Sequence, residues 1–238
     1  HTMSSTSPSF IGEYFIDESV CDKLIDFFHK TPDQSNMFVP GTNHQHWYSK
    51  MPGKVGSYDA RIEKGIKDSV DLTFTVPIMY SQDISPQILP FYNILWLYLS
   101  ELKVCMDKYA KDYPHSAEHL SQIQEGINLQ YYPPGGGYPN LHCERSGSAQ
   151  PCVNRHLVFM TYLNTVTDEG GTYFKHQDTK VNAVKGKTVI WPSDWTHMHQ
   201  GIISPTQEKY IMTGWISHTT PDNVWVDNYK DVQLMLDL

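Results

Sequence analysis

Charge is scarce in this chain, and what there is leans acidic. Only 18% of the 238 residues are Asp, Glu, Lys or Arg, and 26 acidic side chains against 18 basic ones leave a net charge of −8. That balance argues against a protein that grips nucleic acid mainly through phosphates, leaving room only for a local basic groove. Long apolar runs are missing as well. The most apolar uncharged stretch, Ile84–Ser100, contains Pro86, Gln87, Pro90 and Asn93, so it reads as a buried helix and not as a membrane span. The N-terminus has no basic-then-apolar leader. Residues 1–3 are read as an expression remnant ahead of a native start at Met3. Cysteine is sparse: Cys21, Cys105, Cys143 and Cys152 form no CxxC pair, which predicts reduced thiols and a cytoplasmic protein. Repeats, low-complexity tracts and linkers are absent too, so residues 4–238 are expected to form one domain. Aromatics, by contrast, are plentiful, with 15 Tyr, 9 Phe and 6 Trp. A chain so aromatic and so weakly charged is expected to fold.

Two textures divide it. Residues 4–125 hold the helical and irregular part. Asp17 is placed to cap a helix whose apolar positions Val20, Leu24, Phe27 and Phe28 recur at helical spacing. A second helix is expected from about Pro90 to Tyr113, with Phe91, Leu95, Tyr98, Leu102 and Cys105 on one face and Pro114 ending it. Residues 31–85 read as loops with one or two strands, such as Leu72–Val76. From Gly126 short strands take over: Ile127–Tyr131, His156–Leu163, Val181–Val184, Thr188–Trp191 and Tyr210–Ile216. Turn residues separate them, a rhythm that predicts a sandwich or jelly roll with the helices packed outside.

The informative segment is Leu141-His142-Cys143-Glu144-Arg145. On a strand, His142 and Glu144 would project to one face and Cys143 to the other, as a small core residue. An imidazole beside a carboxylate makes two-thirds of a facial metal site, and a distant histidine would complete it. His197 and His199 are the two candidates. Such a face leaves three coordination positions open, which suits non-haem Fe(II) handling O2 and a bidentate co-substrate. Lys209 follows His199 by ten residues. If 201–206 is a turn, the strand carrying Lys209 lies back beside that of His199, with a cation available to a dicarboxylate.

A block of about 90 residues resembles the Fe(II)/2-oxoglutarate dioxygenases of the prolyl 4-hydroxylase type. The resemblance rests on Tyr131-Tyr132-Pro133-Pro134-Gly135-Gly136-Gly137-Tyr138, His142-x-Glu144 and the run from Arg155 to Asn164. It continues through Gly170-Gly171-Thr172, Trp191-Pro192, His199-x-Gly201 and Lys209-Tyr210-x-x-Thr213-x-Trp215. It implies a double-stranded β-helix core over about 126–217, mainly β with flanking α. Residues 9–30 look like the family's N-terminal strand and helix. The resemblance further implies Fe(II) on His142, Glu144 and His199. Lys209 would hold the far carboxylate of 2-oxoglutarate, helped by Tyr162, Thr213 and Tyr132, while Tyr138, Arg155 and Trp215 would line the substrate side. His197 would then sit one pleat away as a supporting group. The implied activity is C–H hydroxylation with O2, giving succinate and CO2, with ascorbate as a supporting reductant. The implied substrate is a prolyl residue in a protein or peptide, or else a free amino acid or other small metabolite. Oligomeric state is left open.

Three departures mark the chain within that resemblance. Glu144 stands where Asp is usual and moves the carboxylate outward by a methylene, and it fills the position a halide would need. Lys209 stands where the animal oxygen-sensing enzymes have Arg, as in collagen-type relatives, giving a point charge in place of a fork. The spacing from Tyr138 to His142 is one residue longer than usual. Gly135–Gly137 reads as a flexible loop over the site; His115 and His119 read as surface residues, and the helix aromatics Phe91, Tyr92, Trp96 and Tyr98 as packing. Two rival classes are a cupin-like metalloenzyme without 2-oxoglutarate and a metal-free jelly-roll binding module.

Overall fold

A computed structural model describes residues 7–43, 45–55, 60–80 and 85–220; the expression remnant read at 1–3 lies outside the described residues. The chain order is β1 (Gly12–Phe15), α1 (Glu18–Lys30), β2 (Tyr48–Pro52), β3 (Val70–Phe74), α2 (Val76–Tyr80) and α3 (Leu89–Asp112). There follow β4 (Ser121–Gln122), β5 (Ile127–Tyr132), β6 (Arg155–Tyr162), β7 (Thr172–Phe174) and β8 (Thr179–Val181). The last are β9 (Lys187–Pro192), β10 (His199–Gly201) and β11 (Lys209–His218). Among the described residues, one large antiparallel sheet runs β1-β9-β6-β11-β5-β3-β2, with β4 on the end of β11, and a small sheet runs β10-β7-β8. The two face one another as a double-stranded β-helix.

Alternation along the central strands explains the layering. On β6, Leu157 and Phe159 join the cluster beneath the helices, whereas Val158, Met160 and Tyr162 join the cluster between the sheets. β11 repeats this: Tyr210, Met212 and Ile216 pack toward the helices and Ile211 toward the interior. A strand buried on both faces therefore reads as a near-continuous apolar run. The helices cover the outer face. Asp17 caps α1 by accepting from the Ser19 amide at 2.8 Å, and Val20, Cys21, Leu24 and Phe28 are buried. Each such apolar side chain contributes about 1.5–3 kcal/mol by leaving water. α3 presents Leu95, Tyr98, Leu99, Leu102, Cys105 and Met106 to the same core. The Tyr98 hydroxyl would be costly there unpaired. It shares a 2.8 Å hydrogen bond with Thr161, whose hydroxyl also meets that of Thr188 at 2.7 Å.

Several local expectations change. The strand expected at Val181–Val184 ends at Val181, because Val184 enters the turn that passes the positive-φ Gly186. β7 and β10, three residues each, were too short for any period to register. β10 pairs with β7 and β11 with β5 and β6, so Lys209 and His199 reach the site from opposite sheets and not from neighbouring strands. Gly135–Gly137 is tied down on both sides: the Gly135 amide donates to Ser204 O at 2.7 Å and the Asp68 amide to Gly137 O at 2.9 Å.

The small sheet depends on one close approach. A Cβ at Gly171 would lie 2.2 Å from the Val181 carbonyl oxygen on the neighbouring strand, a backbone atom with nowhere to go. Gly171→Ala is expected to lower unfolding free energy by about 1–3 kcal/mol, the usual cost of overpacking, read as a lower urea midpoint with the m-value unchanged.

Candidate active site

Every second residue of β11 faces the space between the sheets. Lys209, Ile211, Thr213 and Trp215 line a cavity of about 660 Å³ together with Asn128, Gln130 and Tyr132 of β5. Val158 and Met160 of β6, Thr172 of β7, Trp191 of β9 and His199 of β10 close the interior. Strand period thus selects most of the lining.

The segment 141–145 is not a strand. It touches the sheet through one bridge, His142 to His199, with the His142 amide donating to His199 O at 2.9 Å and the reverse bond at 2.8 Å. The Glu144 and Arg145 amides both donate to Ser193 O. This anchoring brings His142 and Glu144 together without the pleat. It also moves Cys143, expected in the core, to a half-buried place on the cavity wall. His197 is likewise no pocket group: it lies in a one-turn 3-10 helix, and its Nε2 donates to Ser9 O at 2.8 Å. Its own carbonyl meets His199 Nδ1 at 2.9 Å.

His142, Glu144 and His199 offer donor atoms that all lie within 4.8 Å of one another, and no other such trio occurs among the described residues. Nδ1 of His142 meets Asn140 O at 2.7 Å, and Nδ1 of His199 meets His197 O. A carbonyl can only accept, so each Nδ1 carries the proton and each Nε2 presents a lone pair. Both Nε2 atoms lie 3.0 Å from the same oxygen, Glu144 Oε1. Two lone pairs against a carboxylate oxygen require positive charge between them, as two protons or one cation. Burial alone would push the Glu144 carboxyl up; with protons on both Nε2 atoms, hydrogen bonds and positive charge from His142 and His199 outweigh that and hold it well below the usual range. Two imidazoles and one hard oxygen are the donor set of Fe(II) oxygenases. The residues fit the ion.

The second feature is a cation without an anion. Lys209 is 8% exposed; its Nζ donates to Gly170 O at 3.0 Å and lies 5.2 Å above the Tyr132 ring. No carboxylate is within ion-pair distance of it among the described residues, and burial lowers its pKa to about 8. A buried ammonium in this state calls for an anionic ligand, and a dicarboxylate entering the cavity supplies one.

The remaining expected residues are placed as follows. Tyr132 donates to Gln130 Oε1 at 2.6 Å and Thr213 to Phe159 O at 3.0 Å. Tyr162 is fully buried behind the wall, its hydroxyl 2.6 Å from that of Thr172, which does reach the cavity. The Tyr138 ring lies 4.6 Å from that of His142. Arg155 and Trp215 line the cavity but already hold partners in the protein: Arg155 grips Glu125 through two bonds of 2.8 and 2.6 Å, and Trp215 Nε1 donates to Glu144 Oε2 at 3.0 Å. Sequence reading missed Thr172 as a cavity residue, although it sits in the Gly-Gly-Thr block, and missed Gln130 and Glu125. It also missed a polar outer wall of Ser49, Asp71 and Thr73, with Lys67 bonded to Asp71 at 2.9 Å.

Comparison with known proteins agrees with this geometry. Residues 127–217 match the family model described as the 2OG-Fe(II) oxygenase superfamily. The match takes in 91 of the 238 residues, among them His142, Glu144, His199 and Lys209. That superfamily uses Fe(II), 2-oxoglutarate and O2, the chemistry this donor set suits. No curated protein matches it. Among solved structures, the chain is similar in fold to a viral collagen prolyl hydroxylase from Paramecium bursaria Chlorella virus-1, in complex with 2OG. The identity is 16%, the TM-score 0.55, and the alignment covers 88% of this chain and 97% of that one. A Pseudomonas putida prolyl-4-hydroxylase aligns with TM-score 0.54 at 12% identity over 88% of this chain and 93% of that one. An oxidoreductase of the 2OG-Fe(II) oxygenase family from Burkholderia pseudomallei gives 0.51 at 10% over 84% and 79%. No described helix is long and apolar enough to cross a membrane.

The Lys209 environment predicts a pH dependence. A dicarboxylate binds the ammonium form, and burial sets the pKa of the free site to about 8. The Kd for 2-oxoglutarate, measured calorimetrically with Mn(II) in place of iron, should be flat below that pH and rise roughly tenfold per unit above it. Lys209→Met should weaken binding and abolish the slope.

Proposed function

We propose that His142, Glu144 and His199 hold Fe(II) and that Lys209 pairs with the far carboxylate of 2-oxoglutarate. The substrate is a prolyl residue in a protein or peptide. One observation carries the site reading: three metal donors and a buried ammonium lacking an anion open into the same cavity. When bound, iron and 2-oxoglutarate supply the oxidation, in which O2 converts 2-oxoglutarate to succinate and CO2 and a substrate C–H to C–OH. The chain's own residues bind, orient and exclude water. Backbone carbonyls fix both imidazole tautomers, so each Nε2 faces the centre without a proton. Ile211, Met160, Val158 and Trp191 give the interior dry walls, which strengthens every charge contact made there. Thr172, steadied by Tyr162, and the Tyr132–Gln130 pair stand near Lys209 as polar guides for the co-substrate.

The fold likeness to two prolyl hydroxylases supports a prolyl substrate. So does the way the lining continues outward over β5, β3 and β2, through Asn128, Thr73 and Ser49, giving an open floor for an extended chain. The same wall carries the pairs Lys67–Asp71 and Arg155–Glu125, each side chain 10–13% exposed. Those paired charges favour a second reading, a small charged metabolite such as a free amino acid. The four free cysteines support a cytoplasmic setting, where thiols stay reduced.

The test begins without turnover. Anaerobic addition of Fe(II) and then 2-oxoglutarate should produce a visible charge-transfer band that needs both additions and disappears in His199→Ala. Succinate release coupled to hydroxyproline formation in proline-containing peptides should follow; coupling to free amino acids alone would select the second reading.

A further inference from the structure

We propose that Trp215 is a positioning residue that confines Glu144 to a single metal-facing oxygen, keeping one coordination position free. The inference rests on the reading of His142, Glu144 and His199 as Fe(II) ligands. The two oxygens of Glu144 have different surroundings. Oε1 lies 3.0 Å from both imidazole Nε2 atoms, whereas Oε2 accepts the indole N–H of Trp215 at 3.0 Å.

The indole is itself held. The Arg155 guanidinium lies over the Trp215 ring, with Cζ 3.7 Å from the ring centroid. Arg155 is pinned by Glu125 and donates to the backbone carbonyl of Glu144 at 2.8 Å. Its distance to Glu144 Oε2 is 3.9 Å, too long for a hydrogen bond, so the directional donor to that oxygen is the indole. Glu125, Arg155 and Trp215 thus form a brace behind the carboxylate.

The brace answers a problem set by glutamate. Compared with aspartate, Glu144 has one more rotatable bond and so more freedom to turn both oxygens toward one ion. A carboxylate bound through both oxygens, with two imidazoles, would fill four of six positions. A bidentate co-substrate would take the other two, and O2 would have none. An N–H on Oε2 opposes that swing, because leaving it would cost the carboxylate a charge-assisted hydrogen bond and leave a part-buried donor without its partner.

Water counting with Mn(II) in place of iron tests this without turnover. Proton relaxation of the wild-type Mn(II) protein should report about three exchangeable waters, falling to about one with 2-oxoglutarate. Trp215→Phe keeps a ring face beneath Arg155 and removes the N–H; it should lose about one water in each state. An unchanged count per bound ion in Trp215→Phe would overturn the proposal. So would about two waters on the wild-type metal protein alone, a measurement that stands even if the variant fails to fold. A merely structural tryptophan would lower stability or metal affinity and leave the count per ion alone. If 2-oxoglutarate left the wild-type count unchanged, the co-substrate site would be refuted instead, while the metal-only counts would still decide the role of Trp215.

Discussion

A carboxylate taken out of water is the constraint around which this protein is arranged. Burial pushes the Glu144 carboxyl up, and the surrounding structure has to offset this to keep it charged. Two imidazoles face one of its oxygens and an indole N–H meets the other. Both imidazoles are in turn fixed by backbone carbonyls, His142 by Asn140 and His199 by His197, while the main chain of Glu144 is held by the Arg155 guanidinium and by Ser193 O. Fixed tautomers and fixed rotamers mean that little has to reorganise when a cation enters, which is what preorganisation contributes at a metal site.

The same logic runs in the opposite sense at Lys209. Here the isolated buried charge is positive, and the fold leaves it without an anion. Its pKa falls because its neighbours are a carbonyl and an aromatic face rather than a carboxylate. The unfavourable burial is offset only when a ligand carboxylate arrives, so the lysine selects for charge as well as for shape. A negative cluster needing a cation and a cation needing an anion, both lining one cavity, define the polarity of what binds there. Ile211, Met160 and Val158 add apolar surface to the lining of the same cavity.

Farther out the site becomes polar but self-contained. Lys67 with Asp71, and Arg155 with Glu125, satisfy one another across neighbouring elements. Removing one member would leave the other as an uncompensated charge at low exposure. These pairs shape the outer wall. Arg155, which the family resemblance places toward substrate, also braces Trp215 and the backbone of Glu144, so substrate wall and metal support share a side chain.

Much of this was legible in the sequence, for local reasons. Asp17 capping α1, the helical spacing of α3 up to Pro114, and the alternation of β5, β6 and β11 are properties of segments a few residues long, and periodicity carries them. The pair His142 and Glu144 was legible from its spacing, while His199 and Lys209 were legible only through the family resemblance. Other features had no local signal. β7 and β10 are three residues each, too short for a period, and exist because they pair with one another. His142 and Glu144 converge through a bridge to β10 and bonds to Ser193, not through a pleat, which is why Cys143 ends on the cavity wall. Strand period alone does not separate His197 from His199, which the family resemblance does; in the structure His197 is bonded to Ser9, nearly two hundred residues away. The sequence by itself determined the longer helices and strands and which side chains carry charge, because those depend on neighbours along the chain. The tertiary structure alone decided how the imidazoles and the indole divide the two oxygens of Glu144 and how Lys209 comes to lie buried against a carbonyl and a ring, because each is a pairing across strands that only closure of the two sheets brings together.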